Sequence, residues 1–161
     1  MNAVLDWFLN QSGFPPQLAV TLISMVPVLE LRAGIPLARL FELPLSQAIF
    51  FSCIGNIIPI PFILLFIRRI FNWMRPTKLF GGLVRKLEAR AMGKSESIQK
   101  AEFLGLVAFV GIPLPGTGGW TGALIASLLE VDIKKASVAI LIGIALAATI
   151  MSLISYGVFH M

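Results

Sequence analysis

The segment Gly111-Ile-Pro-Leu-Pro-Gly-Thr-Gly-Gly-Trp-Thr-Gly122 decides how the chain folds. It interrupts an apolar block, Phe103 to Leu129, with two prolines and five glycines. A lipid-exposed helix does not run through such a stretch, because proline lacks the N–H and glycine weakens the helix. The flanking legs, Phe103 to Ile112 and Gly119 to Leu129, hold 10 and 11 residues. At about 1.5 Å per residue each leg reaches roughly half of a 30 Å hydrocarbon core.

A second block, Leu18 to Leu40, is broken in the same way at Pro27-Val-Leu-Glu-Leu-Arg-Ala-Gly-Ile-Pro36, with legs Leu18 to Val26 and Leu31 to Leu40. Each broken block reads as a re-entrant helical hairpin with its tip near the bilayer midplane. Irregular backbone at that depth must be enclosed by protein or by a water-filled cavity, so the two tips are expected to be buried against each other. The alternative is four ordinary spans kinked by Pro and Gly. The remaining blocks, Leu45 to Ile67 and Ile133 to Phe159, carry no charge except at Lys134 and Lys135 and read as full transmembrane helices, the first bent at Pro59 and Pro61.

Composition agrees. Apolar residues make up 57% of the 161 and charged residues 13%, against about 45–50% and about 25% in soluble domains, and mean hydropathy is +0.89. These values exclude an ordinary soluble domain and fit a single all-α integral membrane domain. Nine of the 13 basic residues lie between Arg68 and Lys100, so the net charge of +5 belongs to a cytoplasmic loop and gives no reason to invoke nucleic acid. With hairpins, Lys134 and Lys135 fall on the same side as that loop; with four plain spans they do not.

The organisation read from the chain is an interfacial segment at 1–16, a first half at 18–67, a basic linker at 68–102 and a second half at 103–159. The segment Lys78 to Met92 is amphipathic, with Arg85, Lys86 and Arg90 placed to meet an anionic lipid surface. Cys53 is the only cysteine, which excludes an internal disulfide and a thiolate metal cluster. No metal site and no cofactor are expected, and the N-terminus has no basic leader.

The two halves match. Shifted by 88 positions, Gly34, Ala38, Leu40, Glu42, Ala48, Ile54 and Gly55 fall on Gly122, Ala126, Leu128, Glu130, Ala136, Ile142 and Gly143. Each half reads hairpin, short acidic turn, long helix. An odd number of crossings per half inverts the second relative to the first, the inverted-repeat plan of many secondary transporters.

Glu30 and Arg32 carry the sharpest chemical signal, since an ionisable group inside the bilayer costs several kcal/mol. Two apart, they cannot face one another on one helix, and each must find a partner on another element or open onto water. A desolvated Glu suits proton exchange; an Arg offers a planar fork of donors to phosphate or carboxylate. The alternative is a structural ion pair. Gly116, Gly118 and Gly119 let the second tip approach a ligand closely, the helix after it presents free N–H groups suited to an anion, and Thr117, Thr121 and Trp120 add hydroxyls and a wall. The competing reading is close packing through the small-residue spacing Gly118 to Gly122. Asn56 is a buried polar group expected to bond a tip.

The Pro27 to Pro36 segment and the run Ile112-Pro-Leu-Pro-Gly-Thr-Gly-Gly-Trp-Thr-Gly-Ala-Leu-Ile-Ala126 resemble the signatures of the small multidrug export protein family. That family is distantly similar to the DedA (VTT) superfamily, which implies paired re-entrant hairpins, a multi-pass location in a bacterial or archaeal cell membrane and, in some members, movement of lipid phosphate headgroups. By this resemblance Glu30, Arg32, Gly34 and Pro36, with Pro113, Pro115, Gly116, Thr117, Gly118, Trp120 and Thr121, are signature residues. The chain departs from DedA proteins in lacking any basic residue from Gly111 to Ala126, so a two-arginine lipid-phosphate site does not carry over.

The function expected is that of a small transporter, proton-coupled through Glu30. It would move a small molecule or an anionic lipid headgroup between the tips. A chain this short, little more than two spans and two hairpins, is expected to pair as a homodimer among membrane lipids. The alternative is an assembly or lipid-organising protein without turnover. An enzyme is disfavoured, because no buried histidine, no metal-ligand cluster and no nucleophile with a base is present.

Overall fold

The computed structural model describes residues 14–74, 96–129 and 131–157. The interfacial N-terminal segment through Gly13, the amphipathic stretch with Arg85, Lys86 and Arg90, and Glu130 all lie outside the described residues. Seven α-helices are present among them, followed by a π-helical turn, and no strand. They are α1 (Pro16–Met25), α2 (Glu30–Leu40), α3 (Leu45–Ile57), α4 (Pro59–Met74), α5 (Glu96–Gly111), α6 (Gly119–Leu128) and α7 (Ile133–Ser152), with the turn at Leu153–Gly157.

Two stretches are long and apolar enough to cross a membrane, Leu45–Ile67 and Ile133–Gly157. In each, only 39% of the most apolar window is buried, and large side chains such as Phe50, Phe62, Phe66 and Leu153 face outward, as a lipid-facing surface requires. The first span is α3 followed by the start of α4. Pro59 removes the donor that would bond the Gly55 carbonyl, but Ile58 keeps helical angles (φ −52°, ψ −46°), so the chain bends without stopping.

The first break is shorter than the sequence pattern implies. Only residues 26–29 leave the helix, and Glu30, Arg32, Gly34 and Pro36 all belong to α2. Pro36 sits inside that helix, which leaves the Arg32 carbonyl without its usual donor four residues on. The turn is made instead by backbone in the left-handed region at Val28 (φ 74°) and Glu30 (φ 51°), an unfavourable conformation for a β-branched residue.

Named contacts fix the path of this hairpin. Gln17 in α1 donates to Gln47 in the first turn of α3 at 3.2 Å, while Thr21 and Ser24 press on Gly55 near the other end of α3. The helices α1 and α3 therefore run side by side in the same direction. Helix α2 returns against both: Glu30 meets Asn56, Gly34 meets Ser24 and Ser52, and Ala38 packs in one buried cluster with Val20, Leu43 and Ala48. Both ends of the hairpin lie level with the start of α3, and its tip lies beside Asn56, roughly 16 Å further along at 1.5 Å per residue.

Comparable contacts occur in the second half. Val107 and Val110 of α5 press on Gly143, Gly111 on Leu146, and Gly122 of α6 on Val110 and Ile140. Backbone bonds recur at the same offset: Leu43 N–H to Ala38 O and Val131 N–H to Ala126 O are both 3.0 Å, and Ala48 to Pro44 is matched by Ala136 to Asp132. The halves interlock through α2 on α7 and α4 on α6. Their shared core includes Leu31, Ile35, Leu64, Leu106, Val110, Ile140 and Ile144.

Candidate functional site

The two breaks meet. Glu30, 2% exposed, accepts hydrogen bonds from the backbone N–H groups of Gly119 (3.1 Å) and Trp120 (3.0 Å). These are the first donors of α6, which no earlier turn can satisfy. A helix N-terminus favours negative charge, and Glu30 supplies it from another element. The anion expected at this helix end is thus the protein's own carboxylate. Asn56, 1% exposed, donates from Nδ2 to Glu30 Oε2 at 3.5 Å, a long bond, while its Oδ1 has no partner.

Gly118 is what lets the carboxylate in. Its φ of 132° lies where only glycine is comfortable, and a Cβ there would overlap the Glu30 carboxylate. Positions 30 and 118 are themselves matched by the offset between the halves, so the seam brings corresponding points into contact.

Arg32, two residues along α2 from Glu30 and half-buried, reaches the second tip. Its guanidinium donates to the Leu114 carbonyl and, at 2.6 Å, to the Thr117 hydroxyl. Thr117 Oγ1 also lies 2.9 Å from the carbonyls of Ile112 and Leu114, so one hydroxyl ties the loop to itself and to Arg32. Glu30 and Arg32 each find a partner across the seam, on different stretches of the second tip. Trp120 adds a third tie, its indole N–H donating to the Met25 carbonyl at the end of α1 at 3.1 Å.

The remaining residues singled out from the sequence surround these contacts. Pro113 and Pro115 flank the exposed loop, Gly116 turns it with φ 81°, and Thr121 is half-buried in the first turn of α6. Gly34 and Pro36 lie further along α2; Gly34 is a packing point against Ser24 and Ser52, away from the tip. Sequence reasoning missed the Met25 carbonyl, a backbone group without a residue-type signal. Arg39, near a hairpin mouth and expected from sequence to reach lipid headgroups, has its guanidinium 5.5 Å from the centre of the Tyr156 ring, while the Tyr156 hydroxyl donates to the Leu43 carbonyl at 2.8 Å.

No curated protein and no solved structure matches the chain. A family model does, the one described as "Putative small multi-drug export protein", over residues 30–150. That match takes in Glu30, Arg32, Asn56 and the whole second tip, and begins just after Met25 and the turn at 26–29. The chain is an all-helical membrane protein that belongs to the small multi-drug export protein family, whose name is that of a membrane transporter.

Proposed function

We propose that this protein is a proton-coupled transporter whose two hairpins re-enter the membrane from opposite faces and meet at the midplane. The observation that carries the reading is the Glu30 carboxylate, buried in the seam and held by the N-terminal donors of α6. Protonation removes the charge those donors stabilise, so it weakens the bond between the tips. With the carboxylate withdrawn, the α6 N-terminus becomes free to take a small anionic group or lipid headgroup, with Arg32 close by on α2.

Arms of 10 and 11 residues support re-entry, since they are too short to span the core. Backbone bonds and glycine contacts that recur between the halves support an inverted repeat. We place the protein in a bacterial or archaeal cell membrane, as a homodimer among lipids, on the strength of its family and size.

The test is flux in proteoliposomes under an imposed pH gradient, with ethidium as a drug probe and fluorescent phosphatidylserine as a headgroup probe. Gradient-driven movement of one probe is expected, losing its pH dependence in Glu30→Gln. Movement of neither probe, with protein correctly inserted, would favour the non-transporting alternative.

A further inference from the structure

We propose that the seam between α1, α2 and α3 is a hydrated proton path leading to Glu30 from the open end of the first hairpin. This rests on Glu30 being the proton-coupling acid.

The two halves supply an internal comparison. In the first, α2 and α3 meet in antiparallel register, Glu30 on Asn56 and Gly34 on Ser52, with Ser24 of α1 touching both Gly34 and Gly55. In the second, Gly122 meets Ile140, and Val110 touches both Gly122 and Gly143. The positions matched to Glu30 and Asn56 are Gly118 and Ile144. Where the first half places Ser24, Ser52 and Asn56, the second places Val110, Ile140 and Ile144. Apolar side chains therefore fill this geometry adequately, and the polar ones are not required by packing.

They are also incompletely satisfied. Ser52 Oγ and Asn56 Oδ1, one helical turn apart on α3, are buried without a hydrogen-bond partner, and both residues are at most 1% exposed. Buried polar groups in this condition are normally met by water. Ser24 spends its proton on the Val20 carbonyl at 2.8 Å, which leaves its oxygen free to accept one. At the hairpin's open end, a groove of about 620 Å³ lined by Gln17, Ser46, Gln47, Phe50 and Phe51 opens beside the Gln17–Gln47 pair. Between that pair and Ser52 stands an apolar cluster of Val20, Ala38, Leu43 and Ala48, which the path must cross. Arg32 is the one other charged group near Glu30 among the described residues, and it is engaged with the second tip.

The experiment follows the protonated-carboxyl infrared band of Glu30 in reconstituted protein, assigned by its loss in Glu30→Gln. Hydrogen–deuterium exchange of that carboxyl is timed in wild type, in Ser24→Ala/Ser52→Ala, and in Thr149→Ala, an exposed helix-bonded hydroxyl used as control. Exchange at least tenfold slower in the double variant, unchanged in the control and with thermal unfolding preserved, is the result expected. Wild-type exchange in the double variant would overturn the path while leaving Glu30 as the acid. A wild-type protein with no protonated-carboxyl band that Glu30→Gln removes would overturn the coupling role and the path together. Should the double variant unfold, Ser52→Thr, which keeps the hydroxyl, is expected to exchange like wild type; slow exchange there would also count against the path.

Discussion

Glu30 Oε1 and the Trp120 N–H, ninety positions apart in the chain, are joined by a 3.0 Å hydrogen bond inside the protein. That bond and its neighbour from Gly119 end α6 with a charge borrowed from α2. Replacing Glu30 by Ala leaves both N–H groups and the Asn56 amide without an acceptor. Each buried unsatisfied donor costs about 1–3 kcal/mol, so Glu30→Ala should lower stability by about 3 kcal/mol, and Glu30→Gln, which keeps an acceptor, by about 1 kcal/mol. Thermal and denaturant unfolding in detergent will give the order; equal losses would show that the bonds contribute nothing.

Gly118→Ala combines a disallowed backbone with an overlap on the carboxylate. A loss of about 3 kcal/mol is expected from strain of about 1–3 kcal/mol plus displacement of Glu30. Gly105, in α5, has open space where a Cβ would go, and Gly105→Ala should stabilise by about 0.5–1 kcal/mol through helix propensity. The opposite signs are measurable in one unfolding series.

Arg32→Lys preserves the charge and loses the fork that spans Leu114 and Thr117. Stability should fall by about 1 kcal/mol, and a cysteine placed at Pro115 should react faster with a thiol reagent because the loop is no longer braced. An unchanged labelling rate in the Arg32→Lys background would remove Arg32 as the brace.

Tyr156→Phe removes the bond to the Leu43 carbonyl and keeps the ring under Arg39. About 1 kcal/mol is expected for the bond, and Tyr156→Leu should cost about 0.5–1 kcal/mol more for the cation–π contact. A double cycle with Arg39→Gln isolates the second contribution.

Three arms were legible because Pro and Gly punctuate them: Leu18 to Val26, Leu31 to Leu40 and Gly119 to Leu129 form as Pro16–Met25, Glu30–Leu40 and Gly119–Leu128, whereas the leg read as Phe103 to Ile112 belongs to the longer helix Glu96–Gly111. Pro36 misled, since a proline inside a packed helix costs one backbone bond without forcing a stop. Glu30 and Arg32 were legible as groups out of place in lipid. Asn56 was legible as a group that bonds a tip, but the Arg32 contact was not, because Leu114 acts through a carbonyl that every residue carries and the approach of α2 to the second tip depends on tertiary packing. Arg39 reads as a headgroup contact from its place near a hairpin mouth; only the fold brings Tyr156 beneath it.

Positions 30 and 118 correspond and touch, and a point where two corresponding sites coincide has room for one side chain. Two glutamates there would collide and repel; two glycines would leave the helix end bare. Whatever likeness the halves keep elsewhere must fail at this spot, so the single acid is lopsided by geometry, and exchanging the pair as Glu30→Gly with Gly118→Glu is the natural way to ask whether the machine has a handedness of its own.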